Sequence, residues 1–316
     1  MMRGAAAIVL AVLTAACGAV PRDPGAFSFG VMGDTPYNRA EHAEYLRMMR
    51  DMDARPLAFV IHVGDIKGGG ACSDELYAER KREFDASAHP LVYTPGDNEW
   101  TDCRRPSMGS MDPLERLARL REVFFGDDLS LGREKMATLV QDRCADAHCT
   151  CPVYRENRQW VRSGVRFVTL NVPGSHNNVG FDAASDAEAR CRDQANAAWL
   201  DAAVQSSLAP DTRALVVAIQ ADPWDNKRRA YGWLLAKLAG SAARLRTKPL
   251  LFIHGDSHTL HMDQPFTDAT GHVIPNLFRL ETYGSPMVGW VEVTVDPSDP
   301  HFFSFEPRLE AVVAPK

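Results

Sequence analysis

Residues 57–65, LAFVIHVGD, decide the fold, because they read as a buried strand that ends in a glycine and an aspartate. The same pattern recurs at 27–34 (FSFGVMGD), 91–97 (LVYTPGD) and 249–256 (PLLFIHGD). Each run is short and apolar, as is typical of a strand buried on both faces of a parallel sheet. The sequence therefore predicts several parallel strands that end in the same way.

Outward from these strands, helix-like stretches alternate with further strand-like runs. Helices are expected at 40–53, 73–86, 113–125, 186–207 and 230–246, and further strands at 165–171 and 215–219. This alternation predicts βαβ units and a largely parallel sheet in an α/β fold. The tail differs, since its strand-like runs at 277–282, 289–295 and 302–305 follow one another without helices. It therefore predicts an antiparallel or mixed second sheet.

The aspartates that close the four strands are expected to face one crevice. They are Asp34, Asp65, Asp97 and Asp256. Ligands of open α/β sheets bind beyond the carboxyl ends of the strands, and glycine permits the sharp turn there. Converging carboxylates repel one another unless cations neutralise them. A single Gly-Asp pair is more often a turn or a helix cap, but four at strand ends, with His258 nearby, indicate a metal site.

The order of these strand ends resembles the calcineurin-like metallophosphoesterase superfamily over about residues 27–305. Asp34 matches the first metal aspartate of that family, and Asp65 matches its bridging aspartate. His258 matches the second histidine of the Gly-His-x-His motif, which reads GDSH here. The resemblance implies a four-layer αββα sandwich of two mixed sheets, with the metal site at the strand carboxyl ends.

The sequence departs from the family pattern at five positions. Pro36 stands at the histidine of the first motif, and Gln220 stands at the histidine that ends the fourth strand. Asp256 replaces the first histidine of Gly-His-x-His. In the third motif, GDNE, Asp97 replaces the metal-binding asparagine and Asn98 replaces the histidine that meets the phosphate or the leaving group.

The expected ligand set is therefore rich in oxygen. Its members are Asp34, Asp65, Asp97, Gln220, Asp256 and His258. Oxygen-rich sites favour Mn²⁺, Mg²⁺ or Ca²⁺ over Zn²⁺, and the resemblance implies two divalent ions. Asp97 and Asn98 are expected at the catalytic position, although an asparagine donates a hydrogen bond and is not a general acid. His62 reads as a core or supporting histidine, and for His254 both a supporting and a ligand role stay open.

Three residues are expected to contact the substrate: Asn98, Arg104 and Asn177. Asn177 lies in the loop NVPGSHNN, after a strand on the expected active face, and Asn178 and His176 of the same loop are the alternatives. Arg104 follows the third motif and suits a phosphate contact, with a solvated charge as the commoner alternative. The expected reaction is hydrolysis of a small-molecule or lipid phosphate ester. The alternative is a non-catalytic metal-binding surface protein that keeps the fold.

Composition excludes several other classes of protein. The chain has 316 residues, of which 45% are hydrophobic and 24% charged, so it is unlike a disordered or fibrous chain. Its net charge of −6 provides no electrostatic footprint for nucleic acid, and we expect no such partner. No repeat of solenoid length occurs. The sequence sets no expectation for the oligomeric state.

The N-terminus, residues 1–17, reads as an export signal. Arg3 precedes an apolar run at 5–16 that is short for a membrane span, and Cys17 follows it. This resembles a bacterial lipoprotein signal with Cys17 lipidated, and cleavage near Ala16 followed by plain secretion is the alternative. Residues 18–26 read as a tether before a domain at 27–310. We therefore expect an exported protein, periplasmic or at the cell surface, that meets the membrane only through a lipid.

Cysteine parity supports export. Without Cys17 six cysteines remain: Cys72, Cys103, Cys144, Cys149, Cys151 and Cys191. An even number favours disulfides in an oxidising compartment, while a zinc site at 144–151 would need a cleaner four-ligand spacing. Residues 101–160 hold four of the six, break the strand–helix rhythm and read as a Cys-rich insertion.

One disulfide is expected between Cys72 and Cys103. Cys72 lies seven residues after Asp65, and Cys103 lies six after Asp97. Because the two aspartates are expected to meet at the metals, their loops leave the sheet side by side. Of the remaining cysteines, Cys149 and Cys151 are too close to bond to each other comfortably. One of them should then pair with Cys144 and the other with Cys191.

Overall fold

The computed structural model describes residues 23–142, 153–224 and 230–309. One sheet contains β1 (Phe27–Met32), β2 (Leu57–His62), β3 (Leu91–Tyr93), β11 (Gly289–Val295) and β12 (Phe303–Leu309). The other contains β4 (Leu139–Gln141), β5 (Tyr154–Arg162), β6 (Val165–Thr169), β7 (Ala214–Ala218), β8 (Leu250–His254), β9 (His261–Asp263) and β10 (Leu277–Glu281). The helices are α1 (Arg39–Asp53), α2 (Asp74–Ala86), α3 (Pro113–Phe124), the single turn α4 (Gly174–Asn177), α5 (Ala183–Ser207) and α6 (Gly232–Leu245).

Both sheets are mixed, as the resemblance implies. The first has the order β12-β11-β1-β2-β3. In it β1, β2 and β3 pair in parallel, β11 pairs antiparallel with β1, and β12 pairs antiparallel with β11. The second has the order β4-β5-β6-β7-β8-β10-β9, with parallel pairing from β6 to β10. The predicted mixed second sheet is present, but the tail strands are divided between the sheets: β10 pairs with β8 in the second, whereas β11 and β12 belong to the first.

Apolar side chains fill the space between the sheets and the space outside each of them. Between the sheets, the rings of Phe59 and Phe167 lie 4.9 Å apart, and Phe29 stacks on Phe59 at 5.2 Å. On the outer face of the first sheet, α1 contributes the buried Tyr45 to a separate cluster, and α6 contributes Leu238 outside the second sheet. The layers therefore run helix, sheet, sheet, helix, which is the expected αββα sandwich.

Two helices begin directly behind the loops that carry site residues. The Asn38 side chain caps α1 by accepting hydrogen bonds from the backbone N–H groups of Ala40 and Glu41, at 3.0 and 3.1 Å. The Ser73 hydroxyl caps α2 by accepting from Leu76 at 3.3 Å. Such caps satisfy backbone donors that a helix leaves open, and they set where the preceding loop must end. No helix in the described ranges is both long and apolar enough to cross a membrane.

The region 101–160 contains β4 and most of β5, two strands that the sequence did not indicate. In β5, Glu156 and Arg158 are buried although they are charged. Arg121 of α3 forms an ion pair with Glu156 at 2.5 Å, and Arg158 donates to the carbonyl of Leu129 at 2.9 Å. Hydrogen-bond and ion-pair partners from other parts of the chain therefore permit the burial of this polar strand. Its residues do not alternate between apolar and polar, so the sequence pattern did not predict a strand.

The predicted disulfide between Cys72 and Cys103 is present, and both residues are fully buried. It joins the loop after β2 to the loop after β3. The backbone carbonyl of Asn98 lies 3.5 Å from the sulfur of Cys72, beside this link. Cys191 is also disulfide-bonded. The expectations for Cys144, Cys149 and Cys151, and for the signal with Cys17, lie outside the described residues.

Replacing both Cys72 and Cys103 by alanine is expected to lower the free energy of unfolding by about 3–4 kcal/mol. The bond closes a loop with a sequence separation of 31, so its loss returns chain entropy to the unfolded state. Urea unfolding of the oxidised protein and of the double variant measures the difference. A loss below about 1 kcal/mol would contradict this expectation.

Candidate metal centre

The carboxyl ends of the parallel strands converge on one cleft of about 280 Å³. Asp65, Asp97 and Asp256 each present a carboxylate oxygen there, and these atoms lie within 4.8 Å of one another. They follow β2, β3 and β8, which belong to different sheets. The two sheets therefore contribute jointly to a group of carboxylates that is distant in sequence, as the strand-end pattern predicts.

Glycines in these loops make room for the carboxylates. A Cβ atom on Gly96 would lie 2.1 Å from Oδ1 of Asp65, and one on Gly255 would lie 2.1 Å from Oδ2 of Asp34. Any side chain at either position would displace a carboxylate. At Gly96 and Gly255 the closeness of the next loop requires glycine, whereas Gly64 also has a φ of 99°.

Asp34 lies at the edge of this group and is joined to His258. The imidazole Nε2 of His258 lies 3.7 Å from Oδ1 of Asp34. The other ring nitrogen, Nδ1, lies 2.6 Å from the carbonyl oxygen of Ser285, which can only accept. Nδ1 therefore carries a hydrogen, and Nε2 faces the cleft, which is the side from which a metal-binding histidine coordinates.

Asp65 occupies the centre of the cleft. Its Oδ1 accepts from the backbone N–H of Asn98 at 3.0 Å, and its Oδ2 accepts from the side-chain amide of Asn98 at 2.8 Å. The Tyr37 hydroxyl donates to the same Oδ2 at 2.7 Å and lies 3.2 Å from Nε2 of His258. Asp65 thus lies with Asp97 and Asp256, and the Tyr37 hydroxyl links it to His258.

Gln220 reaches the cleft, but its amide is oriented differently from the expectation. Its Nε2 donates to Oδ1 of Asp97 at 3.1 Å and to Oδ1 of Asp256 at 3.2 Å. Its Oε1 accepts from the backbone N–H of Gly174 at 2.5 Å. In this orientation the side chain does not offer an oxygen to a cation. The structure instead makes Gln220 a donor that holds two carboxylates in place.

Burial raises the pKa of several of these carboxyl groups. For Asp34 and Asp65 it is raised well above its ordinary value, first by burial and then by the neighbouring carboxylates. Burial and the charge of Asp97 raise the pKa of Asp256 to about 8. The only buried ammonium that faces this group in the described residues, that of Lys67, already donates to the carbonyl of Gly68 at 2.5 Å.

The donor set fits divalent cations. The carboxyl pKa values are raised because burial and the neighbouring carboxylates outweigh the nearby cations, and the cleft-lining guanidinium of Arg105 pairs with Asp102 at 2.7 Å. Hard cations bind carboxylate oxygens, and one imidazole is compatible with Mn²⁺ in particular. Asp65, Asp97 and Asp256 are therefore placed so that they could hold a metal ion. Asp34 and His258 lie beside them, and Gln220 holds two of the carboxylates in place.

Two cleft residues were not assigned a role from the sequence. Tyr37, three residues after Asp34, bonds to Asp65, and the Ser175 hydroxyl lies 2.7 Å from Oδ2 of Asp97 and 2.6 Å from Oδ1 of Asp102. Burial and the charge of Asp97 raise the pKa of Asp102 to about 6. Tyr37 lies in the same short loop as Asp34, and this closeness in sequence was the one sign that Tyr37 could reach the cleft.

Neither Asn177 nor Arg104 lines the cleft that the carboxylates face. Asn177 is fully buried, and its side-chain oxygen accepts from Arg192 at 2.5 Å while its amide donates to Asp193 at 2.9 Å. Arg104 donates to the backbone carbonyl of Thr101 at 2.8 Å and to the side-chain oxygen of Asn178. The next residue, Arg105, lines the cleft instead. Of the three expected contacts, Asn98 alone lies in the cleft.

Replacing Asn177 by alanine is expected to destabilise the fold by about 3 kcal/mol and to leave KM unchanged. The variant leaves the buried guanidinium of Arg192 without one of its acceptors, and alanine is also disfavoured at the φ of 56° that Asn177 adopts. Denaturant unfolding and substrate titration measure the two quantities. A raised KM at unchanged stability would restore the substrate role.

The two strand histidines lie behind the cleft. His62 is fully buried, accepts from the backbone N–H of Gly64 at 3.1 Å, and has a pKa that burial lowers to about 3. It is a core histidine, as the sequence indicated. His254 stacks on Phe252 at 5.3 Å and packs near Trp224 at 5.6 Å. Its side chain therefore faces the helical side of the second sheet.

Comparison with known proteins supports the architecture. No protein-family model matches the chain, and no curated protein matches it in sequence. A solved structure of PhoD matches with a TM-score of 0.55 and 13% identity, over 93% of this chain and 73% of that chain.

A 5′-nucleotidase from Candida albicans SC5314 also matches, with a TM-score of 0.50 and 12% identity, over 89% of this chain. The chain spans 50% of that nucleotidase. At such identities the likeness shows the fold alone, which agrees with the two mixed sheets and the strand-end cleft. The chain therefore has the calcineurin-like metallophosphoesterase fold.

Proposed function

We propose that this protein is a metal-dependent hydrolase of phosphate esters. The observation that carries the proposal is the position of Asp65. Its carboxylate lies at the centre of the cleft, in reach of Tyr37 and Asn98, and within 4.8 Å of the oxygens of Asp97 and Asp256. One carboxylate shared between two groups of ligands is what a pair of cations needs.

Two overlapping groups of residues would hold the ions. The first group would be Asp34, Asp65 and His258, supported by the 3.7 Å distance between His258 Nε2 and Asp34 Oδ1 and by the Tyr37 hydroxyl that links His258 to Asp65. Asp65, Asp97 and Asp256 form the second. Bound divalent cations would neutralise charge on the phosphoryl oxygens and lower the pKa of an attacking water.

The remaining cleft residues position the carboxylates and the substrate. The Asn98 amide lies 2.8 Å from Asp65 and 2.9 Å from the Tyr37 hydroxyl, so it borders the space above the metal ligands. Because both of its N–H groups already donate, to Asp65 and to Tyr37, it would donate to a phosphoryl oxygen by exchanging one of these hydrogen bonds. It has no proton to give to a leaving group, so esters with good leaving groups should react fastest.

Activity is expected to depend on added cations. Protein freed of metal with a chelator should hydrolyse 4-nitrophenyl phosphate or its bis ester only after Mn²⁺, Mg²⁺ or Ca²⁺ is restored, with Zn²⁺ less effective. Elemental analysis after dialysis should find about two ions per chain. Hydrolysis that persists at full rate in chelator, with no metal bound, would contradict the proposal.

A second candidate is a metal-binding protein without catalysis. The observation that favours it is that side-chain amides stand at two positions where the resembled family has histidines. Asn98 and Gln220 stand where the family has histidines, and both amides are engaged by carboxylates. Stoichiometric metal binding without hydrolysis of any tested mono- or diester would select this candidate.

We also propose export to the periplasm or the cell surface, with a lipid on Cys17 or otherwise secretion. A fully buried disulfide supports an oxidising compartment. Mass spectrometry of the mature N-terminus distinguishes a lipidated Cys17 from a chain cleaved near Ala16. Either product is compatible with a small-molecule or lipid phosphate ester as substrate.

A further inference from the structure

The turn α4, at the rim of the cleft, has an unusual backbone. Its residues Ser175, His176 and Asn177 have φ values of 43°, 60° and 56°, and the next residue, Asn178, has 63°. Residues with side chains adopt this left-handed region singly, and four in succession are unfavourable. Such strain persists where the surroundings over-determine it, and it is concentrated at functional sites.

Buried contacts on both sides of His176 hold this turn. The backbone N–H of Gly174 donates to Gln220 at 2.5 Å, and the backbone N–H of Asn177 donates to the Tyr231 hydroxyl at 3.1 Å. His176 itself is exposed and lines the cleft. The strained backbone thus presents the His176 imidazole at the rim. The preceding residue, Ser175, donates a hydrogen bond to Asp97.

An exposed aromatic ring lies next to His176. The Phe181 side chain is 45% exposed, and its ring centroid lies 6.3 Å from that of His176, with 38° between the ring planes. The guanidinium of Arg104 lies 3.6 Å from the Phe181 ring centroid, so it covers one face of the ring. We name His176 and Phe181, with Arg104 against the ring, the rim platform.

The rim platform and the metal ligands lie on a continuous path. Asp97 bonds to Ser175, Ser175 precedes His176, and His176 is next to Phe181. Arg105 borders this path, since its guanidinium lies 3.2 Å from the Ser175 hydroxyl and lines the cleft. A ligand with its phosphate at the carboxylates can therefore extend its alcohol part toward two adjacent rings and a cation.

We propose that the rim platform binds a planar aromatic ring in the alcohol part of the phosphate ester. This proposal rests on the proposed function of the cleft. Flat aromatic and guanidinium surfaces stack on planar rings and tolerate different ring types. A nucleoside and an aryl group both supply such a ring, whereas an acyl chain or glycerol does not.

The test compares kcat/KM for three monoesters: a nucleoside 5′-monophosphate, 4-nitrophenyl phosphate and glycerol phosphate. Phe181→Ala should lower kcat/KM for the aromatic esters about tenfold and change the value for glycerol phosphate less than twofold. Phe181→Tyr should retain the wild-type ratio. The matched control is Val273→Ala, which removes a 54% exposed side chain outside the cleft and should change neither class.

Equal losses for aromatic and aliphatic esters would overturn the proposal, as would a Phe181→Ala variant with unchanged ratios. The two aromatic substrates separate a nucleoside from an aryl preference. Calorimetric binding of adenosine 5′-monophosphate and ribose 5-phosphate to Mn²⁺-loaded protein provides a readout without turnover. Tighter binding of the former, lost in Phe181→Ala, supports the platform even if no ester is hydrolysed. Hydrolysis without ring selectivity removes this inference and leaves the proposed function intact.

Discussion

Asp65→Asn is expected to lower kcat/KM by about a thousandfold or more, because it removes the carboxylate that both groups of ligands share. The amide keeps the volume of the side chain but has one oxygen in place of two. It therefore no longer accepts on both sides from Asn98 and Tyr37, which now surround Oδ1 and Oδ2. Steady-state kinetics with Mn²⁺ and 4-nitrophenyl phosphate measures the effect.

The same variant separates loss of metal from loss of fold. Asp65→Asn should remain folded by circular dichroism but should no longer gain thermal stability when Mn²⁺ is added, since a ligand stabilises only what it binds. The matched control is Asp201→Asn, an exposed aspartate that pairs with Lys237 at 2.7 Å and should behave as wild type. Activity within tenfold of wild type in Asp65→Asn would refute the assignment of Asp65.

Without metal, the protein is expected to become less stable as the pH rises from about 4 to about 8. Burial and Asp97 raise the pKa of Asp256 from 3.8 to about 8, and the pKa values of Asp34 and Asp65 are raised as well. A carboxyl group with a raised folded-state pKa contributes stability below its unfolded pKa, and this contribution is lost as pH rises through the folded value. For Asp256 this amounts to about 1.4 kcal/mol per pH unit between the two values, and Asp34 and Asp65 act in the same direction.

Divalent metal is expected to reverse this dependence. Ions bind the ionised carboxylates and compete with protons, so Mn²⁺ should stabilise the protein more at pH 8 than at pH 5. Urea unfolding at several pH values, in chelator and in Mn²⁺, measures both trends. Asp256→Asn should flatten the chelator curve, because it removes one of the titrating groups. Stability in chelator that rises between pH 5 and pH 8 would contradict the expectation.

The amino-acid sequence was sufficient for the features that depend on local pattern. Apolar runs that end in Gly-Asp predicted β1, β2, β3 and β8 together with the edge at which their loops meet. This succeeds because parallel strands direct their carboxyl ends the same way, so that Asp34, Asp65, Asp97 and Asp256 share a cleft. The Cys72–Cys103 disulfide followed from the same geometry.

Only the tertiary structure determined which side chains face one another. The sequence treated Gln220 as an oxygen ligand and Asn177 as a substrate contact, because residue type and loop position do not specify hydrogen-bond partners. In the structure, Gly174 engages the Gln220 oxygen, and Arg192 engages Asn177. Buried polar groups are satisfied by partners distant in the chain. Those long-range partners also explain β5, whose polar residues carry no periodic signal, and the place of Tyr37 beside Asp65.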